Sequence, residues 1–258
     1  MAETALITGA SSGIGLELAK IFAANGINVV LVARSQPQLQ QLAQQLQAEH
    51  GIEAHVLAYD LSQYSHAKTI FDWCRTAGIS INYLVNNAGF GHWSVFAESQ
   101  WPKQEQMINL NITTLTYLTH LFLPAMVAQK RGKIMNVAST AAFQPGPIMS
   151  VYFATKAYVL HFTEAIAHEL AGTGVTATAL CPGATESDFQ NKAAMQESRL
   201  FKGKKLPTSA AVAAYGYKTM QQGKVVAVHG FMNWLMAASV GLAPRSLVVK
   251  MVAYLQRK

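Results

Sequence analysis

Charge, cysteine and long apolar runs are all scarce in this sequence. Only 13% of the 258 residues are Asp, Glu, Lys or Arg, against 51% apolar. That balance excludes a disordered chain, which would be rich in charge and poor in aliphatic side chains. Two cysteines, Cys74 and Cys181, cannot build a disulfide framework and lack the close spacing of a zinc site. No metal is therefore expected, and a reducing, cytoplasmic compartment is the simpler expectation. Nowhere do about 18 apolar residues run uninterrupted, so no membrane-spanning helix is expected. The opening MAETALITG has no basic region ahead of an apolar stretch and does not read as a signal peptide. Acidic residues are missing from one end in particular. Residues 1–189 carry nine Lys/Arg and twelve Asp/Glu, whereas residues 190–258 carry eleven and one, the one being Glu197. Such asymmetry either meets something anionic or simply keeps the protein soluble.

What is present is a rhythm. Short apolar runs at Ala5–Thr8, Asn28–Val32, Ala54–Tyr59, Tyr83–Asn86, Lys133–Val137 and Val175–Leu180 are mostly continuous rather than alternating. Strands buried on both faces of a parallel sheet have that pattern. Between them lie stretches of roughly 3.6-residue period, such as Leu16–Ala24 and Leu110–Met126. The expectation is an α/β fold: a single-domain, Rossmann-type, doubly wound parallel sheet of about seven strands, with helices on both faces. A helix near Ser209–Gln221, a last strand at Val225–Val228 and two short helices broken at Pro244 complete the reading. Residues 1–258 form one domain in this reading, with 187–206 as a substrate loop and 230–258 as a helical lid.

The first strand runs straight into Gly9-Ala10-Ser11-Ser12-Gly13-Ile14-Gly15, and a helix follows. Glycines at such a junction let the backbone turn tightly and let a pyrophosphate approach the helix N-terminus, where free N–H groups favour anions. The spacing is G-x-x-x-G-x-G, so the argument rests on the strand-before, helix-after context. The second strand ends in Ala33-Arg34-Ser35, with no carboxylate until Glu49. A carboxylate there would suit a ribose 2′-hydroxyl and an arginine a 2′-phosphate, which favours NADP(H) over NAD(H).

Tyr152 and Lys156 stand four apart within Val151–Leu170, so one helix face carries both. A phenol has a free pKa of about 10, and a neighbouring ammonium is expected to draw it towards the working pH. Ser139 follows the strand Lys133–Val137 and could bond the same substrate oxygen. Tyr-x-x-x-Lys alone is common on amphipathic helices; its company makes it specific.

With Asp60-Leu61, Asn86-Asn87-Ala88-Gly89, Asn111 and Pro182-Gly183 added in order, the chain resembles the short-chain dehydrogenases/reductases, in their branch of roughly 250 residues. The resemblance runs from about Ala5 to Phe189, and more loosely beyond. It implies that Ser11, Ile14 and Arg34 contact NADP(H), with Arg34 and Ser11 on the 2′-phosphate. Asp60 and Leu61 would flank the adenine, and Asn87, Ala88 and Gly89 would line its ribose. Ser139 would bind the substrate carbonyl, Tyr152 would exchange its proton and Lys156 would grip the nicotinamide ribose. Asn111 would hold a water linking Lys156 to solvent. Pro182, Gly183, Thr185 and Ser187 would cover the nicotinamide; a Thr is usual where this chain has Ser187. The family also implies a homodimer or homotetramer, built through the helices at Gln104–Ala128 and Val151–Leu170.

The substrate is less legible. His92, Trp93 and Phe143, with Phe90, Pro145 and the loop from Phe189 to Leu206, are expected as an apolar wall for a hydrophobic ketone, aldehyde or alcohol. His92 reads as part of that wall rather than as a third acid–base group. An alternative is a 3-oxoacyl thioester reductase whose acidic carrier protein or CoA docks on Lys192, Arg199, Lys202, Lys204 and Lys205. A non-enzymatic NADP(H) sensor is a third reading, opposed by the intact Asn111, Ser139, Tyr152 and Lys156. The basic, Trp-bearing tail could make a weak peripheral membrane contact or pack on the domain or a partner subunit. No recognition motif accompanies its charges, so no nucleic acid is expected.

Overall fold

The computed structural model describes residues 2–186 and 206–256. Seven strands form one sheet in the order β3-β2-β1-β4-β5-β6-β7. They are β1 (Thr4–Thr8), β2 (Asn28–Ala33), β3 (Ala54–Ala58), β4 (Tyr83–Asn86), β5 (Gly132–Val137), β6 (Val175–Cys181) and β7 (Val226–Val228). Every pairing is parallel, which requires a crossover between successive strands. The continuous apolar runs are thereby explained: β1 and β4 are buried at every residue because both of their faces are covered.

On one face, α1 (Gly13–Ala24), α2 (Gln36–His50) and α7 (Ser209–Gln221) pack Leu18, Phe22, Leu39, Leu46 and Val212 against Ile7, Val29 and Leu31. On the other, α3 (His66–Thr76) and α5 (Leu115–Ala128) set Ile70, Leu118, Phe122 and Met126 against Leu6, Val30 and Leu84. Helix α6 (Ser150–Glu169) lies on the same side and contributes Ile166. Strand edges differ from the sequence expectation by no more than about one residue, since buried β-branched runs end where turn residues begin.

One helix departs from expectation. The 3.6-residue period over Leu110–Met126 predicts a continuous α-helix, but α4 (Trp101–Ile108) passes into a π-helical stretch, Asn109–Thr114, before α5 resumes. Apolar periodicity cannot reveal an added residue per turn, and such widenings concentrate at functional positions. By length and a mean hydropathy of 1.2, Trp101–Ala128 is apolar enough to cross a bilayer. Here it lies across the sheet instead, burying Met107, Leu115, Leu118 and Met126.

A polar network runs through this otherwise apolar core. Asn86 Nδ2 donates to Thr119 Oγ1 at 3.1 Å and to Asn136 Oδ1 at 2.9 Å. Asn136 Nδ2 in turn donates to Thr163 Oγ1 at 2.9 Å. The chain of bonds ties β4 and β5 to α5 and α6, and Asn136 is wholly buried. Asn136→Ala leaves amide and hydroxyl groups without their partners, so urea unfolding should report a loss of about 1–3 kcal/mol.

Candidate active site

The strands all end on one edge, and the order reverses between β1 and β4, where an open α/β sheet leaves a crevice. A cleft of about 580 Å³ opens there. Gly9, Ser11, Ser12, Gly13 and Ile14 line one end of it. Gly9 adopts φ +68°, and a Cβ there would come within 2.7 Å of Asn87 Nδ2. A Cβ on Gly15 would reach 2.3 Å from the Gly9 carbonyl. Gly15 does not line the cleft; it lets α1 seat against the loop, which no larger residue allows. Ser12 precedes α1 without capping it through its side chain. The first-turn amides of α1 are thus available to an anion.

A second turn is stitched to this loop. Thr8 Oγ1 donates to the Val85 carbonyl and accepts from the amides of Asn87 and Ala88, at 2.9 and 3.0 Å. Asn87 Nδ2 donates to the Thr8 carbonyl at 2.9 Å. Asn87, Ala88 and Gly89 therefore line the cleft beside the glycine loop. Arg34 stands exposed at the cleft rim with Ser35 and Gln38, and among the described residues it pairs with no carboxylate. Asp60 and Leu61 line the wall at the end of β3; Asp60 Oδ1 accepts from the Ser62 amide, and Thr114 Oγ1 donates to the Leu61 carbonyl. Sequence reasoning missed Tyr59 and Ser62, whose place just past β3 could have suggested them, and Gln38 in the first turn of α2.

Ser139, Tyr152 and Lys156 meet at the other end. Ser139 follows β5, where its Oγ accepts from the Ala141 amide at 3.1 Å, and its hydroxyl bonds with that of Tyr152. Lys156 Nζ donates to the Val137 carbonyl at 2.7 Å and lies 5.9 Å from the Tyr152 ring centroid. Both side chains are buried. Burial pushes the Tyr152 phenol up to about 12, with the Ser139 hydrogen bond pulling the other way. It draws the Lys156 amine down to about 8. The expectation that Lys156 draws the phenol towards the working pH is therefore corrected: loss of water disfavours charge on both groups and dominates. The result is a neutral phenol beside an amine that still holds its proton at pH 7.

Asn111 lies in the π-helical stretch rather than on the cleft wall. Its Oδ1 accepts from the Phe90 amide at 3.2 Å, and its Nδ2 donates to the Phe90 carbonyl and to Thr155 Oγ1, both at 3.0 Å. A Cβ on Gly89 would sit 3.0 Å from Asn111 Oδ1 and 3.5 Å from Lys156 Nζ, so the two side chains share one small space. Pro182, Gly183 and Thr185 close the cleft on the β6 side. The Pro182 carbonyl accepts from the Thr140 amide at 2.9 Å, and Thr185 Oγ1 donates to the Gly183 carbonyl. Ser187 lies outside the described residues, as do Phe189, Lys192, Arg199, Lys202, Lys204 and Lys205.

The expected substrate wall is corrected. His92, Trp93 and Phe143 do not line the cleft. Trp93 points its indole at the tail, Nε1 donating to the Gln256 carbonyl at 2.9 Å. Phe143 packs beside Leu160 and lines a separate cavity with Pro145 and Arg245. Burial and the nearby Lys103 push the His92 imidazole down. Phe90 lines the cleft as expected, and Met149 and Phe153 take the place of the others, joined by Val252 and Leu255 of the last helix. A residue's sequence distance from the Asn-Ala-Gly turn does not reveal which way it faces once the chain bends.

Comparison with known proteins gives the family and agrees with the fold. The sequence profile of the short chain dehydrogenases matches residues 3–198, and the chain belongs to that short-chain dehydrogenase/reductase family. A short chain dehydrogenase of Pseudocercospora fijiensis is 36% identical over 72% of this chain, which spans 61% of that protein. The 7beta-hydroxysteroid dehydrogenase of Collinsella aerofaciens is 34% identical over 71% of this chain and 69% of its own. A very-long-chain 3-oxoacyl-CoA reductase of Anas platyrhynchos is 29% identical over 96% and 78%. Among solved structures, a short-chain dehydrogenase from Sphingobium yanoikuyae in complex with NADPH superposes with a TM-score of 0.83 at 31% identity, over 93% of this chain and 94% of its own. The bulky-bulky ketone specific alcohol dehydrogenase from Comamonas testosteroni does so at 0.79 and 29%, over 93% of each chain.

Proposed function

We propose that this protein is an NADPH-dependent oxidoreductase that interconverts a lipophilic ketone or aldehyde and its alcohol. The observation that carries the reading is the meeting of Ser139 with the buried Tyr152 and Lys156 at the end of a cleft that begins in the glycine loop. The residues present fit a dinucleotide: the loop excludes a Cβ at Gly9 and Gly15, and α1 leaves its first-turn amides uncapped. Gly9, Ser11, Ser12, Gly13 and Ile14 would hold the pyrophosphate side and Arg34 the 2′-phosphate. Asp60 and Leu61 would hold the adenine, Asn87, Ala88 and Gly89 its ribose, and Lys156, Pro182, Gly183 and Thr185 the nicotinamide half. When bound, this cofactor supplies the hydride.

The chain's own residues handle the oxygen. Tyr152, kept neutral by burial, donates its phenolic proton to the carbonyl oxygen as negative charge builds there. The Ser139 hydroxyl donates a hydrogen bond to the same oxygen, so the charge develops between two fixed donors instead of in reorganising water. Lys156, held on the Val137 carbonyl, steadies the phenolate left behind. Asn111 acts as a positioning residue: it ties the Phe90 turn to α6 and abuts the space beside Lys156 that Gly89 leaves free. Phe90, Met149, Phe153, Val252 and Leu255 give the cleft an apolar wall that suits a hydrophobic substrate.

The Anas relative supports a second reading within the same chemistry, reduction of a 3-oxoacyl thioester, and Lys103 on the cleft wall suits a phosphate of CoA. A homodimer or homotetramer is proposed through α5 and α6, where Tyr158 stacks on Phe162 and bonds Thr116. Two free, buried cysteines support a cytoplasmic setting.

Three outcomes test the reading. Purified protein should oxidise NADPH with ketones, aldehydes or 3-oxoacyl thioesters, and Tyr152→Phe should lower turnover by about 10²–10⁴-fold with NADPH affinity retained; survival of turnover would remove the assignment. The pH profile of reduction should fall as pH rises through about 8, because Lys156 loses its positive charge there while Tyr152, raised to about 12, keeps its proton. Arg34→Ser should cut kcat/KM for NADPH by about 10–100-fold and leave that for NADH nearly unchanged.

A further inference from the structure

After β7 the chain forms α8 (Phe231–Ser239), a short 3₁₀ turn over Val240–Leu242 and α9 (Arg245–Gln256). Helix α8 buries none of its residues, although it is among the most apolar segments of the chain. Phe231, Met232, Trp234 and Met236 each leave more than half of their surface in solvent, and Leu242 in the turn is 89% exposed. Phe231 and Trp234 stack on each other at 6.0 Å between ring centroids, and the pair faces outward. In α9, Leu247 and Met251 are also more than half exposed. Apolar patches of this extent on a folded protein mark an interaction site.

Charge identifies the occupant. No Asp or Glu occurs between residue 198 and the end of the sequence, while Arg245 and Lys250 flank the patch and Arg257 and Lys258 follow it. An apolar segment carrying tryptophan, in a stretch of sequence whose charged residues are all basic, matches a bilayer with anionic headgroups. An adjoining stripe of α9 bears on the cleft: Val248 and Val252 are buried, and Val252 and Leu255 line the cleft wall. One helix therefore separates the outward apolar surface from the cleft.

We propose that α8 and α9 form a peripheral docking surface for an anionic lipid bilayer, which sets the apolar cleft one helix away from the lipid. A lipophilic substrate dissolved in that lipid could then reach the cleft without crossing bulk water, a consequence that rests on the oxidoreductase reading. The docking itself does not.

The test is flotation of the full chain with phosphatidylcholine vesicles, with and without phosphatidylglycerol, at low and high salt. Binding is expected to vesicles containing phosphatidylglycerol and to weaken as salt rises. The double substitution Phe231→Ser and Trp234→Ser should reduce it at least about tenfold, as should Leu242→Ser combined with Trp234→Ser. Arg245→Gln with Lys250→Gln should lower both the binding and its salt dependence. Thermal unfolding and turnover of a water-soluble ketone should be unchanged in the Phe231/Trp234 variant. Absence of wild-type flotation, equal binding to neutral and anionic vesicles, or a dimer that dissociates on the Phe231/Trp234 substitutions would each overturn the proposal, the last by showing that a second copy covers the face. Flotation without turnover of any substrate would leave the docking surface standing and count against the oxidoreductase reading alone.

Discussion

All seven strands run in one direction, and the site depends on that constraint. Parallel strands deliver their C-terminal ends to one edge, so the turns after β1, β4, β5 and β6 converge although their residues lie far apart in sequence. The connection leaving β1 goes to one side and that leaving β4 to the other, which opens the crevice between them. Thr8 makes the convergence specific. Its hydroxyl, at the end of β1, bonds three backbone groups of the β4 turn and holds the glycine loop against Asn87 and Ala88. The Asn86–Asn136–Thr163 bonds do the corresponding work one layer deeper, fixing β5 and α6 so that Ser139 and Tyr152 meet.

Burial, rather than an ion pair, governs the chemistry of this meeting point. Tyr152 and Lys156 both lie away from water, and desolvation moves the phenol up and the amine down. A phenol that keeps its proton is an acid ready to give it to a developing alkoxide. An amine that still carries charge at neutral pH can stabilise what remains. The Val137 carbonyl supplies the polar contact that makes a buried ammonium tolerable.

The tail completes the cleft. Trp93 reaches from the turn after β4 to the Gln256 carbonyl, anchoring α9 so that Val252 and Leu255 face inwards. Asn233 of α8 sits against Gly183, where a Cβ would come within 2.5 Å of its amide, so the turn over the β6 edge is braced from the same side. The wall facing the substrate and the apolar surface facing outwards are therefore built by one short stretch of chain.

The sequence by itself determined the sheet, because β-branched runs buried on both faces leave a pattern that needs no tertiary information. It determined the glycine loop, since only glycine tolerates the approach of Gly15 to the Gly9 carbonyl, and it determined that Tyr152 and Lys156 share a helix face. It could not show the π-helical stretch that carries Asn111, because an extra residue in a turn leaves no mark on apolar periodicity. It also misplaced His92, Trp93 and Phe143, whose apolar or aromatic character says that they pack but not against what. The protonation of Tyr152 and Lys156, the inward turn of Val252 and Leu255 and the outward face of Phe231 and Trp234 were decided only by the tertiary structure. Each depends on which distant segments exclude water from a side chain, and that is a property of the folded chain rather than of neighbouring residues.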